Sequence, residues 1–153
     1  MCWPFGCGYS TGNLYRTDIE TVFIPIFESQ SFRRQVEFEI TGALARQIEL
    51  NTPYKVVSNR SEADTILYGR VLGVGETVLT QQRQLDRPLE NKVVLKVNVI
   101  WKDLRNSELL VDNQTFQVSG DYAVLLGAGS GSAVRKGAND LAIRIVEKME
   151  KIW

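Results

Sequence analysis

Histidine does not occur anywhere in the 153 residues. Its absence removes Ser-His and Cys-His nucleophile pairs, histidine-ligated zinc, and the side chain most used for acid–base work near neutral pH. Cysteine occurs only twice, at Cys2 and Cys7, too few for a four-cysteine metal site. Neither a GxxxxGK phosphate loop followed by Ser or Thr nor an HExxH stretch is present. No apolar run approaches the roughly 20 residues that a membrane-spanning helix needs. Neither sign of charge dominates: 18 basic and 18 acidic residues give a formal net charge of zero, so a global electrostatic drive toward nucleic acid is missing. These absences lead to the expectation of a non-enzyme with no catalytic residues, no metal, no cofactor and no nucleic-acid partner. The residual route to catalysis runs through carboxylates such as Asp103, and its neighbour Arg105 reads more simply as the partner in a surface ion pair at a strand end.

What is present is ordinary for a globular domain: 44% apolar and 24% charged residues, in a length that buries roughly 70% of the unfolded surface. TVFIPIFE, residues 21–28, is a near-continuous apolar run that predicts a first strand, with Pro25 marking an edge or a bulge because it lacks a donor. FRRQVEFEITGALARQIEL predicts a helix from an N-cap at Ser31, with Phe32, Val36, Ile40, Ala43, Leu44 and Ile48 on one stripe. Asn51, Thr52 and Pro53 end it. A short strand is expected at residues 54–57 and a longer one near 65–74, followed by a polar segment, TQQRQLDRPLEN, that forms a hairpin loop or the worn ends of two strands.

KVVLKVNVIWKDL alternates most clearly. Val93, Leu95, Val97, Val99 and Trp101 share one face; Lys92, Lys96, Asn98 and Lys102 share the other, with Val94 and Ile100 among them. The turn LRNSE leads to an antiparallel partner, ELLVDNQTFQVSG. A loop, DYAVLLGAGSGS, precedes a last helix from about Ala133, whose stripe is Val134, Ala138, Leu141, Ala142, Ile145, Met149 and Ile152. The fold class expected is α+β: two helices packed on one face of a small, mostly antiparallel or mixed sheet, a two-layer sandwich in β-α-β-β-β-α order. The first strand–helix–strand unit would be right-handed.

Several stretches are candidate sites. GAGSGS resembles an anion-binding loop, but no strand follows its helix, so it reads as a connection. Arg33 and Arg34 fall in the first turn of a helix, where the dipole disfavours cations. They either pair with Glu37 and Glu28 or meet an anionic partner. Phe38 lies about 200° around the helix from Val36, off the buried stripe, and either packs under a loop or faces another protein. Between residues 70 and 105 the basic side chains Arg70, Arg83, Arg87, Lys92, Lys96, Lys102 and Arg105 outnumber the acids Glu76, Asp86, Glu90 and Asp103 by three. In a meander Arg70, Lys92 and Lys96 would lie near one another, forming either a solvated sheet surface or a patch for phosphate and carboxylate groups. Cys7 is open to three readings: a buried thiol, a disulfide with Cys2, or a lipid attachment point.

The stretches CGYS, TVFIPIFES, FRRQVEFEITGALARQIE, TPYKVV, ADTILYGRV and VIWKDLRNSELL, in this order, resemble the LptE family of lipopolysaccharide-assembly lipoproteins. The likeness covers about residues 7–119 and continues more weakly into the final helix. It implies two helices on a small sheet. It further implies a mature chain beginning at a lipid-modified Cys7, matched by Gly6-Cys7-Gly8-Tyr9, with residues 1–6 the remnant of a signal and residues 7–153 one domain. Family signals are basic and apolar; MCWPFG departs from that pattern, so the natural start is expected upstream. By resemblance the protein would sit at the periplasmic face of the outer membrane, plug and assist assembly of an LptD-type β-barrel, and bind lipopolysaccharide. Arg70, Arg83, Arg87, Lys92 and Lys96 are the candidates for lipopolysaccharide. Arg33, Arg34 and Phe38 are the candidates for the barrel, with Trp3 and the loop 122–126 as further exposed apolar contacts. Replacing Lys92 and Lys96 with Glu is expected to weaken lipopolysaccharide binding without unfolding. The alternative is an envelope lipoprotein of the same fold serving a different membrane complex.

Overall fold

The computed structural model describes residues 14–30, 35–78, 90–123 and 130–150, with the side chains at 76–78, 90–92, 120–123 and 130 outside the description. The alternation of the central strand decides the architecture. In β5 (Glu90–Asp103) Val93, Leu95, Val97, Val99 and Trp101 are all buried, while Lys96 is exposed. β4 (Thr65–Val78) and β6 (Leu109–Ala123) pair antiparallel along its two edges. The same parity runs across the ladder. Leu67 lies opposite Trp101, Val71 opposite Val97, and Phe116 opposite Val97 from the other side, all facing the core.

Three short parallel strands complete the sheet. β1 (Thr21–Phe23) lies between β3 (Lys55–Val57) and β4, and β2 (Glu28–Ser29) joins β4 further along. The path is β3-β1-β4-β5-β6 with β2 beside β4, a six-stranded mixed sheet. Helices α1 (Val36–Asn51) and α2 (Ser130–Lys148) pack on it and on each other. Their inward stripes, Val36, Ile40, Ala43, Leu44 and Ile48 with Val134, Ala138, Leu141, Ala142, Ile145 and Met149, share one core with the inner sheet face. The α+β class therefore stands as the alternation and the two stripes required, in the order β-β-α-β-β-β-β-α.

Several boundaries differ from the sequence reading. Residues 21–28 do not form one strand. β1 is an interior strand and the chain leaves the sheet over residues 24–27. Pro25 has no donor for a ladder. The Phe27 N–H donates instead to Thr41 Oγ1 on α1 at 3.1 Å, and the Phe27 ring is buried. Gly69 makes this possible: a Cβ there would lie 2.5 Å from Phe27 Cε2 and 2.7 Å from the Asn98 carbonyl oxygen. Among the described residues helix α1 begins at Val36, and Gln35 before it adopts a left-handed conformation at φ 83°. Ser31, Phe32, Arg33 and Arg34 lie outside the described residues, as does most of the expected 80–91 loop. β6 extends three residues past its expected end, and α2 starts at Ser130, so Gly131 and Ser132 of GAGSGS are helical.

Candidate functional site

The helix-free face of the sheet carries the candidate site. Where residues 24–27 arch away from β4, they leave an open groove of ≈ 640 Å³. Its floor comes from the outward parity of β4 and β5: Ile66, Tyr68 and Leu72 beside Ile100. Pro25 and Ile26 form one wall, and Ile26 is largely exposed. Polar groups accompany this apolar strip: Arg70 on β4 with Glu28 on β2, Asn98 and Lys102 on β5, Asn113 on β6, and Arg60 from the turn before β4. Exposed Lys96 shares the face, opposite Gly73 in the ladder. The groove is amphipathic: apolar side chains lie between cations.

Arg70 is already engaged. Its Nε and Nη2 both donate to Glu28 Oε2, at 3.1 and 2.9 Å. Backbone pairing holds the two together, since β2 places Glu28 opposite Arg70 in the parallel ladder. Glu28 therefore turns to Arg70 on β4.

The site residues expected from the sequence separate into groups. Arg70 and Lys96 fall on one face, Asn98 lying opposite Arg70 and Lys96 two steps along β5. Lys92 does not join them: it pairs with Thr77, six residues from Asn98, about 20 Å along the strand. The meander is correct, but the register sets Arg70 opposite Asn98, so Lys96 lies close to it and Lys92 well along the strand. Arg83, Arg87, Arg33, Arg34, Cys7 and Trp3 lie outside the described residues, as do residues 124–126 of the 122–126 loop. Tyr122 and Ala123 belong to β6 instead. Phe38 is 55% exposed on α1 and is not covered by any described loop. Sequence reasoning placed Lys102 on the outward face of β5 but missed Arg60, Tyr68, Leu72 and the 24–27 arch as groove components. Ile100 among the lysines of β5 was the available signal, an apolar residue at outward parity.

Asp103 and Arg105 form an ion pair at the end of β5, but Asp103 is 1% exposed rather than on the surface. The guanidinium donates from Nε to Oδ1 at 3.1 Å and from Nη2 to Oδ2 at 2.8 Å. Arg105 also reaches the backbone carbonyl and carboxylate of Asp18. Nearby, Asp64 accepts from the N–H groups of Glu20 and Thr21 at 2.9 and 3.1 Å, and the Arg16 N–H donates to the Tyr54 hydroxyl at 3.0 Å. Residues 16–21 are thus strapped to the sheet end by ionised and buried polar groups, a structural use of these carboxylates.

Arg105 hydrogen bonds hold the Asp103 carboxyl below its ordinary value, and the Glu20 N–H, with smaller help from Thr21 and Arg105, does so for Asp64. A depressed carboxyl adds stability that is complete above the unfolded value of about 3.9 and is lost as pH falls through the lower folded value. The urea midpoint of the protein is expected to drop on acidification from about pH 5 to about pH 3. In Asp103→Asn the midpoint at pH 7 should be lower and the acid drop shallower. Parallel pH profiles for the two proteins would show that Asp103 does not carry the effect.

No helix among the described residues is long and apolar enough to cross a membrane. The sequence matches the family model described as LptE, lipopolysaccharide-assembly, over residues 19–149. Comparison with curated protein sequences finds no match. Among solved structures, an uncharacterized lipoprotein B from Nitrosomonas europaea is 17% identical, with a TM-score of 0.59, covering 96% of this chain and 89% of its own. A PelC dodecamer from Paraburkholderia phytofirmans is 12% identical, with a TM-score of 0.58 and coverage of 92% and 96%. A hypothetical protein from Chlamydia trachomatis is 9% identical, with a TM-score of 0.56 and coverage of 84% and 94%. At these identities the structural likeness is one of fold.

Proposed function

We propose, because the chain belongs to the LptE family of lipopolysaccharide-assembly proteins, that it is a non-catalytic, lipid-anchored subunit at the periplasmic face of the outer membrane. It plugs and assists assembly of an LptD-type β-barrel and binds lipopolysaccharide in the groove on the helix-free sheet face. The observation that carries the binding part is the pairing, within one groove, of an apolar floor (Ile66, Tyr68, Leu72, Ile100) with the cations Arg60, Arg70 and Lys102. Lipopolysaccharide joins acyl chains to phosphates and carboxylates. Apolar surface suits the chains, and guanidinium and ammonium groups suit the anions through charge-assisted hydrogen bonds. Lys96 extends the basic surface, with Arg83, Arg87 and Lys92 as further contributors. On the other layer Phe38, with Arg33 and Arg34 just before α1, offers the barrel an exposed aromatic contact. Attachment to the membrane runs through a lipid on Cys7.

The test is co-purification. The native gene is tagged after Trp153 with its upstream region intact, membranes are solubilised in mild detergent, and stoichiometric partners are identified by mass spectrometry. A large β-barrel at about one-to-one, with an acylated Cys7 in the same sample, is the expected result. Recovery of the tagged protein alone from the soluble fraction overturns the reading. A different membrane complex in its place supports the alternative, an envelope lipoprotein of the same fold serving that complex.

A further inference from the structure

Glu28 is the one acid among the described residues lining the groove, and it sits on the guanidinium that an incoming anion would need. Three features make this more than a surface pairing. The carboxylate is delivered by backbone register, since β2 fixes Glu28 opposite Arg70, so little side-chain freedom is lost in holding it there. Both donors, Nε and Nη2, converge on the single oxygen Oε2, so one carboxylate oxygen takes up the side edge of the guanidinium. Both partners are open to solvent, Arg70 at 53% and Glu28 at 72% of their side-chain surface, so the pair is weak enough to be exchanged.

We infer that Glu28 sets the selectivity of this groove: it is a resident anion that a phosphate displaces from Arg70 and a carboxylate does not. This rests on the reading of the groove as the lipopolysaccharide site. The exchange is decided by charge and valence. A carboxylate-headed amphiphile offers Arg70 the same charge and the same kind of acceptor oxygen as Glu28, so replacing one with the other gains nothing at Arg70 to offset placing the released Glu28 beside a like charge. A phosphate brings up to two negative charges and three acceptor oxygens, and it can engage Arg70 and a second cation of the groove together. Lys102 and Arg60 line the same groove for that purpose. Glu28 would thereby hold off fatty acids and other singly charged amphiphiles, which the apolar floor alone would accept.

The experiment uses the full chain, as wild type, Glu28→Gln, Arg70→Gln and the double variant, with three probes: bisphosphorylated lipid A, the same glycolipid without phosphates, and palmitate. Glu28→Gln is nearly isosteric and removes an exposed pair, so folding is checked simply by the thermal midpoint. Wild type is expected to bind the bisphosphorylated form in preference to both other probes. Glu28→Gln should tighten lipid A by about 2–5-fold, the size of an exposed ion pair, and should let palmitate compete. Arg70→Gln should weaken lipid A, and adding Glu28→Gln to it should bring no further gain, because the two act through one contact. Unchanged or weaker lipid A binding in Glu28→Gln, while Arg70→Gln still loses affinity, overturns the role of Glu28 and leaves the site standing. Equal binding of all three probes by wild type and Arg70→Gln overturns both the selectivity and the site.

Discussion

Lipopolysaccharide binding is expected to fall by at least about 30-fold when Arg70 and Lys96 are both replaced with Glu, while the thermal midpoint moves by only a few degrees. Each charge-assisted contact contributes about 1.5–3 kcal/mol, so losing one weakens binding roughly 10–100-fold. The two losses need not add in full, because both cations act on the same ligand. Reversal at position 70 also places a second anion beside Glu28, which is 2.9 Å from the Arg70 guanidinium in the folded protein. The fold should tolerate the change, since both side chains are exposed and neither contributes to the core. Fluorescence displacement of a labelled lipopolysaccharide, alongside a circular-dichroism melt, reads both quantities. A folded double variant with undiminished affinity would remove the helix-free face from consideration.

The second large effect is structural. Gly69→Ala is expected to lower the thermal midpoint by about 2–12 °C, from an overpacking cost of about 1–3 kcal/mol in a domain of this size. A Cβ at this position would meet the Phe27 ring at 2.5 and 2.8 Å and the Asn98 carbonyl oxygen at 2.7 Å. The ring is confined by the core and the carbonyl belongs to the β5 backbone, so relief requires β4 and β5 to separate or Phe27 to leave its place. If Phe27 leaves, the 24–27 arch that walls the groove and leads into Glu28 moves with it. Calorimetry of the variant gives the stability, and lipid A binding by the same sample reports the arch. A midpoint within one degree of wild type would mean that Phe27 is not seated as tightly on β4 as the geometry implies.

These two positions mark the difference between what the sequence discloses and what it conceals. Periodicity made the core legible. The alternation from Val93 to Trp101 and the helical stripes around Leu44 and Leu141 identify the buried faces, because burial imposes a period of two on strands and 3.6 on helices. The outward face of β5 was legible for the same reason, which is how Lys96 was singled out. Other features depended on which strand lies beside which, and no local period encodes that. TVFIPIFE reads as one strand because its residues are apolar. It breaks because Pro25 lacks a donor, Thr41 on α1 accepts the Phe27 N–H, and Gly69 makes room for the ring. The polar partner lies 14 residues from Phe27 in the chain and the steric partner farther still. Lys92 was expected near Arg70 and Lys96 if the strands paired as a meander; they do, and the register of β4 on β5 sets it six residues from the partner of Arg70.

By itself, then, the sequence determined the α+β class, the buried faces, the absence of histidine chemistry, and membership of the LptE family, since these rest on composition, local period and ordered motifs. Only the tertiary structure decided that residues 24–27 leave the sheet, that an apolar strip among the outward lysines becomes the floor of a groove, and that Glu28 rather than solvent meets Arg70. Those outcomes depend on contacts between segments from 14 residues apart, Phe27 with Thr41, to 42 residues apart, Glu28 with Arg70, whose relative position is set by burying one shared core rather than by the preferences of either segment.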